Sequence, residues 1–552
     1  MIVALGVMLV TGLLMTAAFV GAEGDVHLSR TDTAQKEAYY ASLAGVQEFE
    51  YQMQLNPDYW ETCAKPTNKL PQESGSSYKV KILVASTGEK EFKECSTTSP
   101  FKSVIQSSGA AANTFRIESV GSAGAKPEEH HTIIATFKVT GFLNYIYYTN
   151  HEDEDPSLYA ASKKCTEENT FYPETEAAGC ARIEFATGDE INGPMHTNDA
   201  VCVGGSASFG RLGHTPLDTV EFVRGLNSKC TGTGKYNTAT GKYIKGKELS
   251  PPKSDTSLKT YVLSENLFKG VTDLVLNGTT NEIEITNAAI NSGKPKNIPW
   301  PSNGLIFVKS SIEEEEESCG YTFSPHEADD KEEAETETNC ANVYVHGTYS
   351  KPLTIGAANN VIINGSIEQT GNKEGEPTGT STLGLIANNF VRIYHPVGET
   401  YKISGTTCNY NGYENSKREK QRDPHFNGEE HVCEYTNNET EGCDAPNLNK
   451  TEDTVHGWGS LESPWIYAAI LATTHSFVVD NYNCGKKLGS LHLYGALAQN
   501  YRGIVGTGGG TGTGYLKDYK YDERLAVDEP PYFLNPINAG WKVARETAPS
   551  GG

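Results

Sequence analysis

The sequence lacks an excess of positive charge and closely spaced cysteine pairs. Its 46 Lys and Arg stand against 70 Asp and Glu, which gives a formal net charge of −24. Nucleic-acid binding depends on clustered basic side chains that neutralise phosphates, so the composition argues against that class of protein. None of the 12 cysteines stands in a C-x-x-C pair, which removes support for zinc fingers and thioredoxin-like sites.

Recognisable catalytic motifs are also absent from the sequence. Neither H-E-x-x-H nor G-x-S-x-G occurs, and the glycine run 505–514 lacks the Gly-Lys-Ser/Thr of a phosphate-binding loop. We therefore expect a non-enzymatic protein without a cofactor. The alternative is an envelope-tethered carbohydrate-active enzyme on a β-helix scaffold, for which Asp189, Glu190 and Asp480 are candidate carboxylates.

Long apolar runs are absent except for one at the N-terminus. Residues 2–22 form an uncharged run of about 21 residues, which as a helix covers about 30 Å, the thickness of a bilayer's hydrocarbon core. A cleaved signal peptide, with its cleavage region at 17–22, is the alternative, although no Lys or Arg precedes the run. The run predicts one membrane-spanning helix, whose anchoring residues are Ile2, Leu5, Val7, Leu9, Leu13 and Phe19.

Helix-forming residues continue beyond this run, and no proline occurs before Pro57. The pattern predicts a single helix over 1–54 that is apolar in its first half and amphipathic in its second. Three later segments, 78–84, 114–120 and 132–139, alternate between apolar and polar residues. They predict strands of a small sheet that packs against the amphipathic half of the helix.

The junction in the second half of this helix contains Ala41, Leu43, Ala44, Gly45 and Val46, in the pattern A-x-x-A-G-V. With the apolar helix that precedes it, this pattern resembles a type IV pilin-like protein. It implies that the apolar half anchors the subunit in a membrane before assembly and packs in a filament core afterwards. The basic leader of that family and its nearby glutamate are missing, and we expect a start codon upstream of Met1 to account for this.

The remainder of the chain predicts a mainly β body. Short apolar strands recur between polar turns, and strands this short must be stacked on further strands, which favours a parallel β-helix with long loop insertions. An antiparallel β-sandwich is the alternative. Segments such as GLIFV and LGLIANNFVRIYHP resemble the β-solenoid part of large pilin-like bacterial envelope proteins. We expect left-handed backbone geometry and side-chain ladders at the corner residues Asn359, Asn360, Asn388 and Asn389.

These features divide the chain into four regions. We expect an N-terminal helix over 1–54, a small pilin-like sheet domain over 55–155 and a β-helix-like body over 156–528. The aromatic and proline-rich tail 529–552 is expected to cap the open end of the body, which would otherwise expose unpaired backbone.

The cysteines are even in number and scattered through loop-like sequence behind the apolar run. This pattern favours disulfides formed in an oxidising compartment over buried reduced thiols. Cys165–Cys180 and Cys319–Cys340 are neighbouring pairs that would each close a polar loop. The cysteines expected in disulfides are Cys63, Cys95, Cys165, Cys180, Cys202, Cys230, Cys319, Cys340, Cys408, Cys433, Cys443 and Cys484.

Histidines and carboxylates supply candidate metal ligands. His196 and Asp199 lie close together in the sequence, where we expect a turn closed by Asx hydrogen bonds, with a metal site as the alternative. The acidic segment 151–156 is expected to be a solvated surface loop, with a calcium-binding loop as the alternative. The other histidines with ligand potential are His130, His131, His346, His395, His475 and His492.

From these observations we expect a membrane-anchored pilin-like protein with a structural or adhesive role, of the minor-pilin or filament-tip type. The chain would cross the cell membrane once, with its body outside the cell. The expected partners are the membrane, other pilin-like subunits and, for adhesion, surface glycans or a cell-surface protein.

Overall fold

The structure of the protein is a computed structural model. Among the residues that the structure describes, 42% lie in strands and 18% in helix, so the fold is mainly β. The described residues are 2–56, 59–69, 75–85, 92–96, 114–124, 129–157, 183–311, 319, 339–372, 374–395, 398–403, 406–411, 461–480, 482, 487–507, 512–526, 528–537 and 540–547.

The first element is a single long helix, α1, over Ile2–Leu55. It ends where Asn56 precedes Pro57, since the residue before a proline is disfavoured in helical geometry. The predicted N-terminal helix is therefore confirmed. Short 3₁₀-helices lie at Tyr59–Thr62, Phe142–Asn144, Thr256–Thr260, Ser264–Asn266, Asn291–Gly293 and Glu523–Ala526.

The strands are mostly short and follow one another closely along the chain. In chain order they are β1 (Thr67–Lys69), β2 (Ser77–Ala85), β3 (Phe92–Glu94), β4 (Thr114–Ala123), β5 (Glu129–Val139), β6 (Tyr147–Glu154), β7 (Glu190–Asn192), β8 (Met195–Thr197), β9 (Ser208–Phe209), β10 (Val220–Phe222), β11 (Lys235–Tyr236), β12 (Leu267–Lys269), β13 (Thr272–Asn277), β14 (Glu282–Asn287), β15 (Lys296–Pro299), β16 (Leu305–Lys309), β17 (Val343–Tyr349), β18 (Leu353–Ala357), β19 (Val361–Gln369), β20 (Leu383–Ala387), β21 (Val391–Ile393), β22 (Gly398–Ile403), β23 (Thr406–Asn411), β24 (Trp465–Ala472), β25 (Phe477–Val479), β26 (Lys487–Arg502), β27 (Gly514–Tyr521) and β28 (Trp541–Thr547).

The chain divides into two compact units. Unit 1 comprises residues 1–106, 111–140 and 539–552, and unit 2 comprises 107–110 and 141–538. Among the described residues, unit 1 is thus built from two separate stretches of sequence and unit 2 from one.

Unit 1 is the long helix on an antiparallel sheet in the order β1-β2-β4-β5-β28, with β3 paired to β2. The predicted strands 78–84, 114–120 and 132–139 correspond to β2, β4 and β5. Buried and half-buried residues alternate along β4, as expected of a strand with one face against a helix. The described part of the tail, expected to cap the body, is divided between the two units. Phe533 and Leu534 belong to the buried core of unit 2, whereas β28 pairs antiparallel with β5 in unit 1.

Unit 2 contains a sheet of 20 strands in which most neighbours are parallel and in register. One series runs β16-β18-β20-β24-β26-β27-β7-β9-β11, and β13, β14 and β15 form an antiparallel insertion. Parallel pairing is not what the alternative of an antiparallel sandwich predicts. A separate two-stranded antiparallel sheet is formed by β22 and β23.

Equivalent apolar side chains stack along the parallel strands of unit 2. Val343, Val361, Val391 and Phe477 occupy matched positions on β17, β19, β21 and β25 and are buried. Each short strand buries little surface by itself, whereas the stacked column removes all four side chains from water. The core of unit 2 is therefore continuous from strand to strand.

An asparagine ladder accompanies this stacking. Asn359 Nδ2 donates to Asn342 Oδ1 at 2.8 Å, and Asn389 Nδ2 donates to Asn359 Oδ1 at 2.8 Å. The predicted side-chain ladder is confirmed at Asn359 and Asn389. The predicted left-handed geometry is wrong, because Asn359, Asn360, Asn388 and Asn389 all have negative φ.

Candidate functional site

The first half of α1 is an apolar helix that its own fold leaves uncovered. Residues Val3–Val20 have a mean hydropathy of 2.3, and none of this segment is buried. At about 1.5 Å per residue, 18 such residues extend about 27 Å, enough to cross most of a bilayer's hydrocarbon core. The predicted anchoring residues Leu5, Val7, Leu9, Leu13 and Phe19 are all exposed, whereas the side chain of Ile2 lies outside the described residues.

The polar side chains of this segment are satisfied within the helix. Thr11 Oγ1 donates to Val7 O at 2.8 Å, and Thr16 Oγ1 donates to Gly12 O at 2.9 Å. A hydroxyl that donates to its own helix keeps its hydrogen bond in a lipid, so its transfer costs less free energy than that of a hydroxyl bonded only to water. The two threonines are therefore compatible with an apolar environment around the segment.

The second half of α1 is packed on the sheet of unit 1. Ala38, Ala41, Val46, Phe49 and Met53 are buried and recur at spacings of three to five residues, which places them along one side of the helix. Of these residues, Phe49 contacts Phe115 and Phe137 of the sheet, with ring centroids 6.0 and 5.4 Å apart. Of the predicted junction residues, Ala41, Gly45 and Val46 are buried, and Leu43 and Ala44 are half-buried.

Small residues bring the helix unusually close to the strand β4. A Cβ on Gly121 would overlap the backbone of Ala38 and Ser42, and a Cβ on Gly45 would overlap the hydroxyl of Ser119. Ser119 Oγ donates to Ser42 O at 2.7 Å in this narrow contact. Gly45 belongs to the predicted junction, but Gly121 was missed, because its role depends on a helix more than 70 residues earlier in the chain.

Three disulfides occur among the described residues. They join Cys63 to Cys95 in unit 1, and Cys202 to Cys230 and Cys319 to Cys340 in unit 2. The predicted pair Cys319–Cys340 is thereby confirmed. The predicted cysteines that lie outside the described residues are Cys165, Cys180, Cys433, Cys443 and Cys484, together with the side chain of Cys408.

A carboxylate of Glu184 lies close to the disulfide of Cys202 and Cys230. Thiolates are the form in which cysteine binds a metal, and these two sulfurs are bonded to each other. The cluster is therefore a disulfide with a neighbouring carboxylate.

The predicted ligands His196 and Asp199 have different partners. His196 is fully buried between Tyr145 and Tyr148, with Nδ1 2.9 Å from Glu221 Oε2 and Nε2 3.1 Å from Asn198 Oδ1. Asp199 accepts hydrogen bonds from the backbone N–H groups of Glu152 and Ala200 at 3.0 and 2.7 Å. Both side chains thus satisfy neighbouring protein groups.

The acidic segment 151–156, expected as a surface loop or a calcium loop, is largely a strand. β6 continues to Glu154, and His151, Glu152, Glu154 and Asp155 are buried. Arg502 Nη1 lies 3.0 Å from Glu152 Oε2. The expectation of a solvated loop is therefore wrong.

Asp155 has partners of its own in this buried region. It lies 3.1 Å from His475 Nδ1 and accepts a hydrogen bond from Ser476 Oγ at 2.7 Å. These carboxylates neutralise or hydrogen-bond groups of the core, which accounts for acidic residues in a buried strand.

The other candidate histidines also contact protein groups. Nδ1 is the contacting atom in each case, and the partners are Ser122 Oγ for His130, Ser42 Oγ for His131, Asn364 Oδ1 for His346, the backbone carbonyl of Asp480 for His395, Asp155 for His475 and Asp518 for His492. Each of these contacts accounts for its histidine as a structural residue.

The candidate carboxylates of the enzyme alternative are held by different groups. Lys517 Nζ lies 3.0 Å from Asp189 Oδ2, and Arg392 makes two bonds of 2.9 and 3.0 Å to Asp480. Burial raises the pKa of Asp480, and Arg392 opposes that change. Glu190 is exposed beside Asn192. The arrangement gives each carboxylate a structural partner.

The comparisons with known proteins add nothing to this geometry. No protein-family model, no curated protein and no solved structure matches the chain. The helix with one exposed and one packed half is the feature that bears most directly on function.

Proposed function

We propose that the protein is a membrane-anchored, pilin-like structural or adhesive subunit. The observation that carries this proposal is α1, whose segment Val3–Val20 is uncovered while its second half is buried on an antiparallel sheet. An apolar surface of this length is stable in water only when something apolar covers it. A bilayer covers it in the anchored subunit, and neighbouring helices of the same kind cover it in a filament.

The body of the subunit lies outside the cell in this proposal. The three disulfides among the described residues support an oxidising compartment, since cytosolic thiols are kept reduced. The net charge of −24 supports a soluble body that stays away from anionic lipid surfaces. The membrane is therefore the first partner, and other subunits are the second.

Unit 2 is proposed to be a parallel β-helix that presents an adhesive or structural surface. The in-register parallel pairing, the apolar column of Val343 and Val361 and the ladder of Asn342, Asn359 and Asn389 support it. Such stacks are stabilised by neighbour-to-neighbour contacts and offer extended surfaces for binding. For an adhesive subunit the partner would be a surface glycan or a cell-surface protein.

Replacement of an exposed leucine in each half of α1 tests the anchor. Leu13, near the middle of the apolar segment, is 62% exposed, and Leu55 at the end of the helix is 64% exposed. An arginine at the centre of a membrane helix costs about 2.5–3.5 kcal/mol on insertion scales. We expect Leu13→Arg to lower the fraction of full-length protein retained in alkali-washed membranes, and Leu55→Arg to leave it unchanged.

The same fractionation distinguishes the other outcomes. Equal retention of both variants would overturn the anchoring proposal. Release of the unmodified protein from washed membranes would also overturn it and would favour the cleaved signal peptide.

A further inference from the structure

A lysine occupies an inward-facing position on the strand β27 of unit 2. Lys517 lies between Tyr515 and Tyr519, and the three side chains share one side of the strand because alternate residues point to the same face. Both tyrosines are buried. The side chain of Lys517 is only 11% exposed and that of Asp189 only 5%. Lysine and aspartate are rarely buried to this extent unless they are paired with another group.

The pairing of β27 with β7 brings this lysine to Asp189. Asp518 is the register partner of Glu190, and Lys517 and Asp189 each come one residue before a member of that pair. Neighbouring strands are about 4.7–4.9 Å apart, which a lysine side chain joined to an aspartate can span. Lys517 Nζ lies 3.0 Å from Asp189 Oδ2. An amine and a carboxyl group are thus held in contact across two adjacent strands.

A second buried ion pair adjoins the first. Arg502 Nη1 lies 3.0 Å from Glu152 Oε2, and both side chains are buried. The guanidinium carbon of Arg502 lies 3.7 Å from the centre of the Phe185 ring, and Lys517 Nζ lies 5.9 Å from the same centre. Attraction between buried charges only partly recovers the cost of removing them from water. Conversion of Lys517 and Asp189 to a neutral group would remove one pair of charges and leave Arg502 balanced by Glu152.

The surroundings of Lys517 favour a reactive amine. Burial lowers the pKa of the Lys517 ammonium and Arg502 acts in the same direction, whereas Asp189 opposes them. A desolvated, neutral lysine amine is a nucleophile. Arg502 also interacts electrostatically with Asp189, and its Nε and Nη2 have no hydrogen-bond partner among the described residues. The guanidinium can therefore stabilise negative charge that develops on the carboxyl group.

We propose that Lys517 and Asp189 condense to an intramolecular isopeptide bond, which cross-links β27 to β7. The ammonium first transfers a proton to the carboxylate, which gives a neutral amine and a carboxylic acid. The lone pair of Nζ then forms a bond to Cγ, and the carbonyl electrons move to oxygen. A proton passes from Nζ to the hydroxyl, the C–O bond breaks, and the carbonyl forms again as water leaves.

This condensation is balanced without any further reactant. The products are an amide and one water molecule, and no group is oxidised or reduced. Two reacting groups held in place by a fold reach effective concentrations of about 10⁵–10⁸ M, which compensates for the weak electrophilicity of a carboxylic acid. The bond would add a covalent link to a stack of strands that is otherwise held by hydrogen bonds and apolar contacts.

Mass spectrometry of the full chain after complete reduction and alkylation tests the bond. We expect the unmodified chain to lack the mass of one water molecule, whereas Lys517→Arg should have its full sequence mass. Arginine keeps the positive charge opposite Asp189, but its guanidinium stays protonated and does not attack a carboxyl group. In a protease digest of the unmodified chain, the peptide with Lys517 should be joined to the peptide with Asp189.

Lys81 and Glu118 provide a matched control within the same chain. They are directly paired across β2 and β4 with Lys81 Nζ 2.9 Å from Glu118 Oε1, but their side chains are 35% and 27% exposed. The hydrogen bond to Glu118 raises the pKa of Lys81, so its amine stays protonated, and we expect this pair to remain unlinked.

Two results would overturn the isopeptide bond. One is an unmodified chain with its full sequence mass, and the other is a loss of water that the digest locates at other residues. Neither result affects membrane retention, which tests the proposed function separately.

Discussion

Both halves of α1 carry apolar side chains, but the protein covers only those of the second half. Leu13 in the first half is 62% exposed, and Val46 in the second is 1% exposed. In the second half the buried residues follow one side of the helix, whereas apolar residues surround the first half on all sides. One-sided apolar residues indicate a partner within the fold, and an all-round apolar surface indicates a partner outside it. In the proposed function, that partner is the membrane and then neighbouring subunits.

Matched phenylalanines on the two halves give the largest expected contrast. Phe49 is fully buried, and its replacement by alanine should lower the free energy of unfolding of unit 1 by about 3–5 kcal/mol. Phe19 is 66% exposed, and Phe19→Ala should change the free energy of unfolding by less than about 0.5 kcal/mol. Denaturant unfolding can be followed through Trp60, which stacks on Phe115 beside Phe49. Equal losses in the two variants would remove the contrast between the halves.

Acid should destabilise the packed body but leave the membrane retention of the apolar half of α1 unchanged. Burial lowers the pKa of His151 to about 4, with Arg224 contributing in the same direction and Asp155 opposing it. The unfolded chain binds this proton near pH 6.5 and the folded one near 4, so the stability from neutral His151 is present above about 6.5 and lost as the pH falls toward 4.

The expected loss of free energy of unfolding over that interval is about 3 kcal/mol. Thermal melts of the full chain across this pH range measure it, with His151→Gln as the control that should remove this part of the dependence. Residues 3–20 contain no ionisable side chain, so membrane retention of the folded protein should stay constant over the same range. A flat profile for the unmodified chain would contradict the assignment to His151.

Two glycine replacements give the smallest contrast. Gly121→Ala places a Cβ against the backbone of α1 and should destabilise unit 1 by about 1–3 kcal/mol. Gly12→Ala meets no atom within 4 Å and should be neutral or slightly stabilising, since alanine favours helix more than glycine does. Thermal melts of the two variants measure the difference. A neutral Gly121→Ala would show that the helix is not closely held at this point.

Local patterns were sufficient to predict α1, β2, β4 and β5. The helix follows from an apolar run that continues to Asn56-Pro57, and β4 follows from strict alternation over 114–120. The exposure of Leu5, Leu9 and Leu13 also agrees with the predicted anchor segment. In each case the determining residues lie close together in sequence.

The errors come from partners that are distant in sequence. Segment 151–156 reads as a surface loop because its neutralising partner Arg502 and its hydrogen-bonding partner His475 are more than 300 residues away. β28 reads as part of a cap because its partner β5 is about 400 residues earlier. His196 reads as a ligand candidate because Glu221 reaches it only through the pairing of β8 with β10.

Intact mass measurement of the native protein, with and without reduction and alkylation, tests the anchor most directly. The account predicts a mass that includes residues 2–22, together with few free thiols. A chain that begins after Ala22 would contradict the membrane anchor, and 12 free thiols would contradict export of the body.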